Sequence, residues 1–116
     1  MKTIKKIVDL SQKELLPPHL RMLQGVICLG GPMNVDEEEQ YPFLKAEIEF
    51  IKQVVKEEVP FLGICLGAQL LSKACGAKVI RSPQQEVGFS KVSLTEDGLK
   101  DSLFSGLEKN LRVFQW

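Results

Sequence analysis

Residues 60–76 leave the chain little freedom. Pro60-Phe61-Leu62-Gly63-Ile64-Cys65 is a short apolar run of the kind carried by a strand covered on both faces. Gly67 to Ala74 reads as a helix, which Gly76 ends. No residues remain between them for a loop, so strand must pass straight into helix at Gly63-Ile64-Cys65-Leu66-Gly67. A G-x-C-x-G at such a junction has the form of a nucleophile elbow with cysteine in the central place. Glycines two before and two after the centre remove side chains that would collide in the turn. The central residue can then be presented on strained backbone with an exposed tip. At a helix N-terminus the free N–H groups and the dipole favour a thiolate over a thiol. The Leu66 N–H would point at an oxyanion formed on an attacked carbonyl. The plainer reading makes Cys65 a small buried hydrophobe, which is how Cys28 and Cys75 are read. The strand, the helix and both glycines together favour the nucleophile.

The segments around this junction repeat the alternation of strand and helix. Gly25-Val26-Ile27-Cys28-Leu29-Gly30 is a second apolar run bounded by glycines, and Gly30-Gly31-Pro32 forces a turn directly after it. Thr3 to Leu10 alternates loosely and predicts a strand before the break at Pro17-Pro18. From Pro42 to Glu57, Leu44, Ile48, Ile51 and Val55 recur at helical spacing, with Phe43, Phe50 and Val54 widening the stripe. Ala77-Lys78-Val79-Ile80 predicts another strand, Val87 to Leu94 alternates, Gly98 to Leu107 reads as a loop or short helix, and Leu111 to Phe114 begins a last strand. Strand, helix, strand, helix, strand means an α/β fold with a mostly parallel sheet. In such a sheet ligands gather at the carboxyl ends of the strands, so the Gly30-Gly31 turn should face Cys65. A backbone N–H at Gly31, with no Cβ in the way, could be a second oxyanion donor.

Composition excludes several other classes. The 116 residues carry 15 Lys+Arg against 15 Asp+Glu, and 44% are hydrophobic, as in one soluble domain. There is no basic patch for nucleic acid or an anionic membrane, and the one run of like charge, Asp36-Glu37-Glu38-Glu39, is acidic. It lies upstream of the Pro42 helix and reads as a solvated flank that suits the helix dipole. No apolar stretch approaches a membrane span, and the N-terminal residues lack a secretory signal, so the chain reads as cytoplasmic. Three cysteines without C-x-x-C and a single histidine, His19, argue against a disulfide framework or a metal site. His19 follows Pro17-Pro18 in a loop and reads as a surface residue.

Gly30-Gly31-Pro32-Met33, Tyr41-Pro42-Phe43-Leu44, Gly63-Ile64-Cys65-Leu66-Gly67-Ala68-Gln69-Leu70-Leu71, Glu86-Val87-Gly88-Phe89 and Val113-Phe114-Gln115-Trp116 together resemble the class I glutamine amidotransferases, most closely their stand-alone GMP-synthase-like branch. The resemblance runs in order from about Val8 to Trp116. It implies a doubly wound, flavodoxin-like sheet and a reaction without a cofactor. The cysteine releases ammonia from glutamine through a γ-glutamyl thioester, and the partner it implies is a synthetase that accepts the ammonia. Carried over, Cys65 is the nucleophile, the backbone N–H groups of Gly31 and Leu66 form the oxyanion hole, and Gln69 binds the substrate. Glu86-Val87-Gly88 matches a family signature whose role is structural or is to support the residues that touch substrate.

The family's catalytic His-x-Glu lies beyond the position matched by Trp116, and its first central strand and helix precede the segment matched by Thr3 to Leu10. The 116 residues are therefore expected to form a partial domain, its sheet incomplete at both ends, that self-associates or is disordered and does not turn over glutamine by itself. Two alternatives stay open: hydrolysis of γ-glutamyl peptides or conjugates, and a non-catalytic remnant or binding module.

Overall fold

The two short apolar runs pair in parallel. β1 (Val26–Cys28) lies beside β2 (Phe61–Gly63), with Val26 opposite Phe61, Ile27 opposite Leu62 and Cys28 opposite Gly63. The computed structural model describes residues 5–115 and divides them into two units, one reaching to Ile80 and one starting at Arg81.

In the first unit, α1 (Phe43–Lys56) and α2 (Leu66–Ala74) supply the cover for the sheet. Leu44, Ile48, Ile51 and Val54 are the buried face of α1, and Leu66, Gly67 and Leu70 that of α2. Val54 is fully buried whereas Val55 is 42% exposed, so Val54 closes the stripe that the spacing had assigned to Val55. The chain turns at that point through Glu58 (φ 55), and the Val59 N–H donates to the Val54 carbonyl. Cys28, Val35, Leu44, Ile48, Ile51, Leu66 and Leu70 form one cluster. Each fully buried Leu or Ile in it contributes about 1.5–3 kcal/mol relative to an exposed one.

Both helices therefore pack on the Cys28 face of the sheet. Side chains alternate along a strand, so Ile27 points to the other face, where it is 66% exposed.

Two expected strands are not formed. Lys5 to Asp9 is irregular, and Leu10–Gln12 is a 3-10 turn in which the Asp9 carboxylate accepts from the Ser11 N–H at 3.0 Å. Local side-chain capping and the left-handed Lys13 (φ 62) replace extended backbone there; the start of that segment, Thr3 and Ile4, lies outside the described residues. Ala77 to Ile80 also lacks a ladder partner among the described residues, although Val79 packs against the core.

In the second unit, β3 (Gly88–Ser93) and β4 (Asn110–Gln115) pair antiparallel, Gly88 opposite Gln115 and Ser93 opposite Asn110. Phe89 and Phe114 face each other edge to face at 5.2 Å, and the Arg112 guanidinium lies 4.9 Å from the Phe89 centroid. The connection holds two 3-10 turns, Gly98–Lys100 and Ser102–Phe104, in place of a longer helix. The fold is thus α/β with a parallel pair and helices in the first unit and an antiparallel pair in the second.

Candidate functional site

Cys65 sits at the junction of β2 and α2, two residues beyond the strand and immediately before the helix. Its backbone is at φ 56, ψ −118, a conformation that costs a non-glycine residue about 1–3 kcal/mol. The turn closes through three hydrogen bonds: Gly67 N–H to the Ile64 carbonyl at 3.0 Å, and Ala68 and Gln69 N–H to the Cys65 carbonyl at 3.0 and 3.3 Å. Upstream, the Ile64 N–H donates to the Cys28 carbonyl at 2.9 Å, fixing the turn to the end of β1. Cys65 is exposed, and its side chain caps nothing.

The flanking glycines are required by contact. A methyl group on Gly63 would lie 2.7 Å from the Ala68 nitrogen and from the Gly67 carbonyl atoms, and one on Gly67 would lie 2.2 Å from the Cys28 carbonyl oxygen. These neighbours are backbone and cannot move aside. The elbow exists because helix α2 starts against the strand ends with no Cβ between them.

The loop leaving β1 meets this turn, as expected of two neighbouring strand ends. A methyl group on Gly30 would lie 3.0 Å from Cys65 Cβ and 3.3 Å from its Sγ. One on Gly31 would meet Met33 Cε at 3.0 Å and Leu66 Cδ2 at 3.4 Å. The structure thus brings Gly30, Gly31, Cys65 and Leu66 together. Leu66 is the first helical residue, and its N–H has no earlier carbonyl of the helix to donate to. Gln69 lies one turn along α2, exposed, its side-chain amide without a protein partner among the described residues.

The other cysteines part ways. Cys28 is buried, and its Sγ donates to Glu47 Oε1 at 3.0 Å. Burial first, then the Glu47 carboxylate, pushes its thiol up to about 12. Cys75, expected to be buried, is exposed: it caps the C-terminus of α2, where the chain leaves the core.

His19 is exposed in the segment before β1. Glu86 and Val87 are irregular, Gly88 opens β3 with φ 120, and Gln115 ends β4; all belong to the second unit. Trp116 lies outside the described residues.

One feature was not legible beforehand. The Lys73 ammonium, in the last turn of α2, donates to the Val35 carbonyl at 2.9 Å, to Asp36 Oδ1 at 2.8 Å and to Glu38 Oε1. Part of the acidic run is therefore tied to the helix that starts at Cys65. The sequence signals were opposite charges 35 and 37 residues apart, which no local pattern connects.

Among the described residues no helix is long and apolar enough to cross a membrane. Residues 4–116 match the family model for glutamine amidotransferase class-I. A glutamine amidotransferase-like protein of Salmonella typhimurium is 37% identical over 106 residues, covering 89% of this chain and 44% of its own length. A glutamine-hydrolyzing GMP synthase subunit from Saccharolobus solfataricus is 33% identical over 107 residues, with 88% of this chain and 53% of its own covered. The crystal structure of a glutamine amidotransferase from Thermotoga maritima superposes with a TM-score of 0.83 at 43% identity, over 94% of this chain and 46% of that one. The chain thus spans about half the length of the relatives it matches. With the fold, the cysteine elbow and the matched length in agreement, this chain belongs to the class I glutamine amidotransferases.

Proposed function

We propose that this chain supplies the nucleophile side of a glutaminase site, in which Cys65 attacks the side-chain amide of glutamine. The observation that carries the reading is Cys65 itself, exposed at φ 56 before α2, with Gly30 and Gly31 packed on the turn. The thiolate sulfur adds to the amide carbonyl carbon, and the carbonyl electron pair moves to oxygen, where the N–H groups of Leu66 and Gly31 receive it. The C–N bond then breaks, the nitrogen takes up a proton, and ammonia leaves a γ-glutamyl thioester. Water attacks the thioester, the C–S bond breaks, and glutamate and the thiolate are released. Gln69, exposed one turn further along α2, holds the substrate.

Two of these steps transfer protons through a base, and His19 is the one histidine in the 116 residues. The 116 residues alone are therefore proposed to bind substrate and be alkylated at Cys65, but neither to form the thioester from glutamine nor to turn it over. In the longer relatives' setting, the Ile27 face of the sheet would be covered as in a doubly wound, flavodoxin-like domain. The similarity to glutamine-hydrolyzing GMP synthase subunits supports a synthetase as the ammonia acceptor.

A chloroketone derived from glutamine tests this, because Cys75 is an exposed internal control. The thiolate displaces chloride, leaving a mass-detectable thioether. Cys65 should be labelled at least about tenfold faster than Cys75, with a rate that saturates. Equal labelling of both would overturn the reading in favour of a non-catalytic remnant.

A further inference from the structure

Lys73 ties two parts of the site that the sequence keeps far apart. α2 begins beside Cys65 and ends beside Lys73, so one nine-residue helix carries the candidate nucleophile at its start and this ammonium in its last turn. The groups that the ammonium reaches, the Val35 carbonyl and the Asp36 and Glu38 carboxylates, lie in the loop between β1 and α1. That loop opens with Gly30 and Gly31, which lie against Cys65 and Leu66.

The loop has other restraints, among them backbone hydrogen bonds from Gln40 and Tyr41 N–H to the Glu37 carbonyl. Its Val35 side chain, 4% exposed, is in the same cluster as Leu66 and Leu70 of α2. Asn34 and Glu37 close a local turn, with the Asn34 N–H donating to Glu37 Oε2 at 2.8 Å. Met33 lies against Gly31. The Lys73 contacts and the Val35 side chain link residues 34–38 to α2. Hydrogen bonds to Asp36, then to Glu38, raise the Lys73 ammonium above its ordinary range, and the bond to Lys73 lowers Glu38.

We propose that Lys73 is a positioning residue for the Cys65 site: it holds the loop from β1 against α2, so that Gly31 stays in register with the Leu66 N–H. The claim rests on the glutaminase reading above. It gives Lys73 a role through the loop and no contact with substrate. A positively charged anchor suits this place because it satisfies a backbone carbonyl and two carboxylates at once. An uncharged side chain would leave the carboxylates repelling each other.

Two reagents separate positioning from general stability. The chloroketone passes through an oxyanion that the loop would stabilise, whereas iodoacetamide alkylates a thiolate by direct displacement of iodide and needs no oxyanion donor. In Lys73→Met the maximal chloroketone rate at Cys65 should fall about tenfold, because small misplacements at such sites carry large rate costs, with iodoacetamide alkylation of Cys65 changed less than about twofold. The double variant Asp36→Asn/Glu38→Gln, which removes the partners instead, should give the same selective loss, and combining it with Lys73→Met should add little. Amide exchange should quicken about tenfold over residues 29–38 and not over 66–74.

Unchanged exchange in the loop would overturn the clamp whatever the reagents do. Equal loss with both reagents would show a merely structural lysine. If the unsubstituted protein labels Cys65 and Cys75 equally, the glutaminase reading fails and the positioning role falls with it, an outcome distinct from a normal Cys65 rate that Lys73→Met leaves intact.

Discussion

The ends of β1 and β2 carry the same four residues, Ile27-Cys28-Leu29-Gly30 and Ile64-Cys65-Leu66-Gly67, and use them in opposite ways. Cys28 is the last residue of β1; it keeps the strand alternation, turns inward and donates a hydrogen bond to Glu47. Cys65 lies past the end of β2, on backbone turned to φ 56, and faces solvent. Neither residue type nor immediate neighbours separate the two thiols. The residue two positions earlier does: Val26 in one case, Gly63 in the other. At Val26 the strand simply continues. At Gly63 the missing Cβ lets α2 start over the strand end, with Gly67 against the Cys28 carbonyl. One repeat is therefore read as strand and the other as elbow.

The largest effect should come from making the second repeat resemble the first. Gly63→Val would place branched atoms where a single methyl group already meets backbone at 2.7 Å. Overpacking against backbone should cost about 3 kcal/mol or more, and urea denaturation would read it. If the variant folds, α2 must have moved off the strand end, and Cys65 should lose its selective chloroketone labelling. Gly67→Ala, with its methyl group 2.2 Å from the Cys28 oxygen, should do the same. A stable Gly63→Val protein with unchanged labelling would break the comparison, since the glycine would then not be what makes the elbow.

The second effect concerns the inward thiol. Cys28→Ala removes a buried sulfur and its hydrogen bond, for about 2 kcal/mol. The folded protein keeps Cys28 protonated up to about 12, above its ordinary 9.0, whereas the unfolded chain ionises it near that ordinary value. Unfolding therefore releases a proton above pH 9, and stability should fall as pH rises from 9 towards 12. Cys28→Ala should be less stable at neutral pH yet lose less over that window. In the native protein at pH 8, iodoacetamide should modify Cys65 and Cys75 and leave Cys28 untouched.

Most of the element pattern in the first unit was legible because it rests on local signals. Glycines bound the first strand run, Pro60 and Gly63 the second, and Leu44, Ile48 and Ile51 recur at helical spacing. The Cys65 turn was legible for the same reason: strand, glycine, cysteine, glycine and helix are contiguous. What failed was set by partners distant in sequence or by competing local bonds. Lys5 to Asp9 gave way to the Asp9 cap, and Ala77 to Ile80 has no ladder partner among the described residues. Cys75 has apolar neighbours in sequence, but its place just past α2 leaves it in solvent. The acidic run looked like a solvated flank because its cation comes from another helix.

A smaller effect runs against function. Cys65 holds a conformation that glycine adopts freely, so Cys65→Gly should relieve strain. Against the added chain entropy of glycine, the gain should be about 1 kcal/mol, measured as a higher denaturation midpoint at unchanged slope. Cys65→Ala, which keeps a Cβ, should show no such gain. A Cys65→Gly protein less stable than Cys65→Ala would mean that the turn is not strained and that the thiol is presented for another reason.

The smallest effect belongs to the loop that leaves β1. Glu38→Gln removes one of the two carboxylates on Lys73, and partly exposed pairs of this kind contribute about 1 kcal/mol or less, reduced further by salt. Glu38 is held below its ordinary 4.5 first by Lys73, so the folded state keeps it ionised where the unfolded chain would protonate it. That contribution is complete above pH 4.5 and is lost as pH falls through the lowered value. The difference in stability between Glu38→Gln and the unsubstituted protein should therefore be present at pH 7 and shrink towards pH 3. The chloroketone rate at Cys65 is the more sensitive readout, because the clamp acts on loop position and not on the core. A measurable slowing with almost no change in midpoint would place the boundary between the two repeats at this loop: β1 ends in packing, and the residues after it serve the thiol of β2.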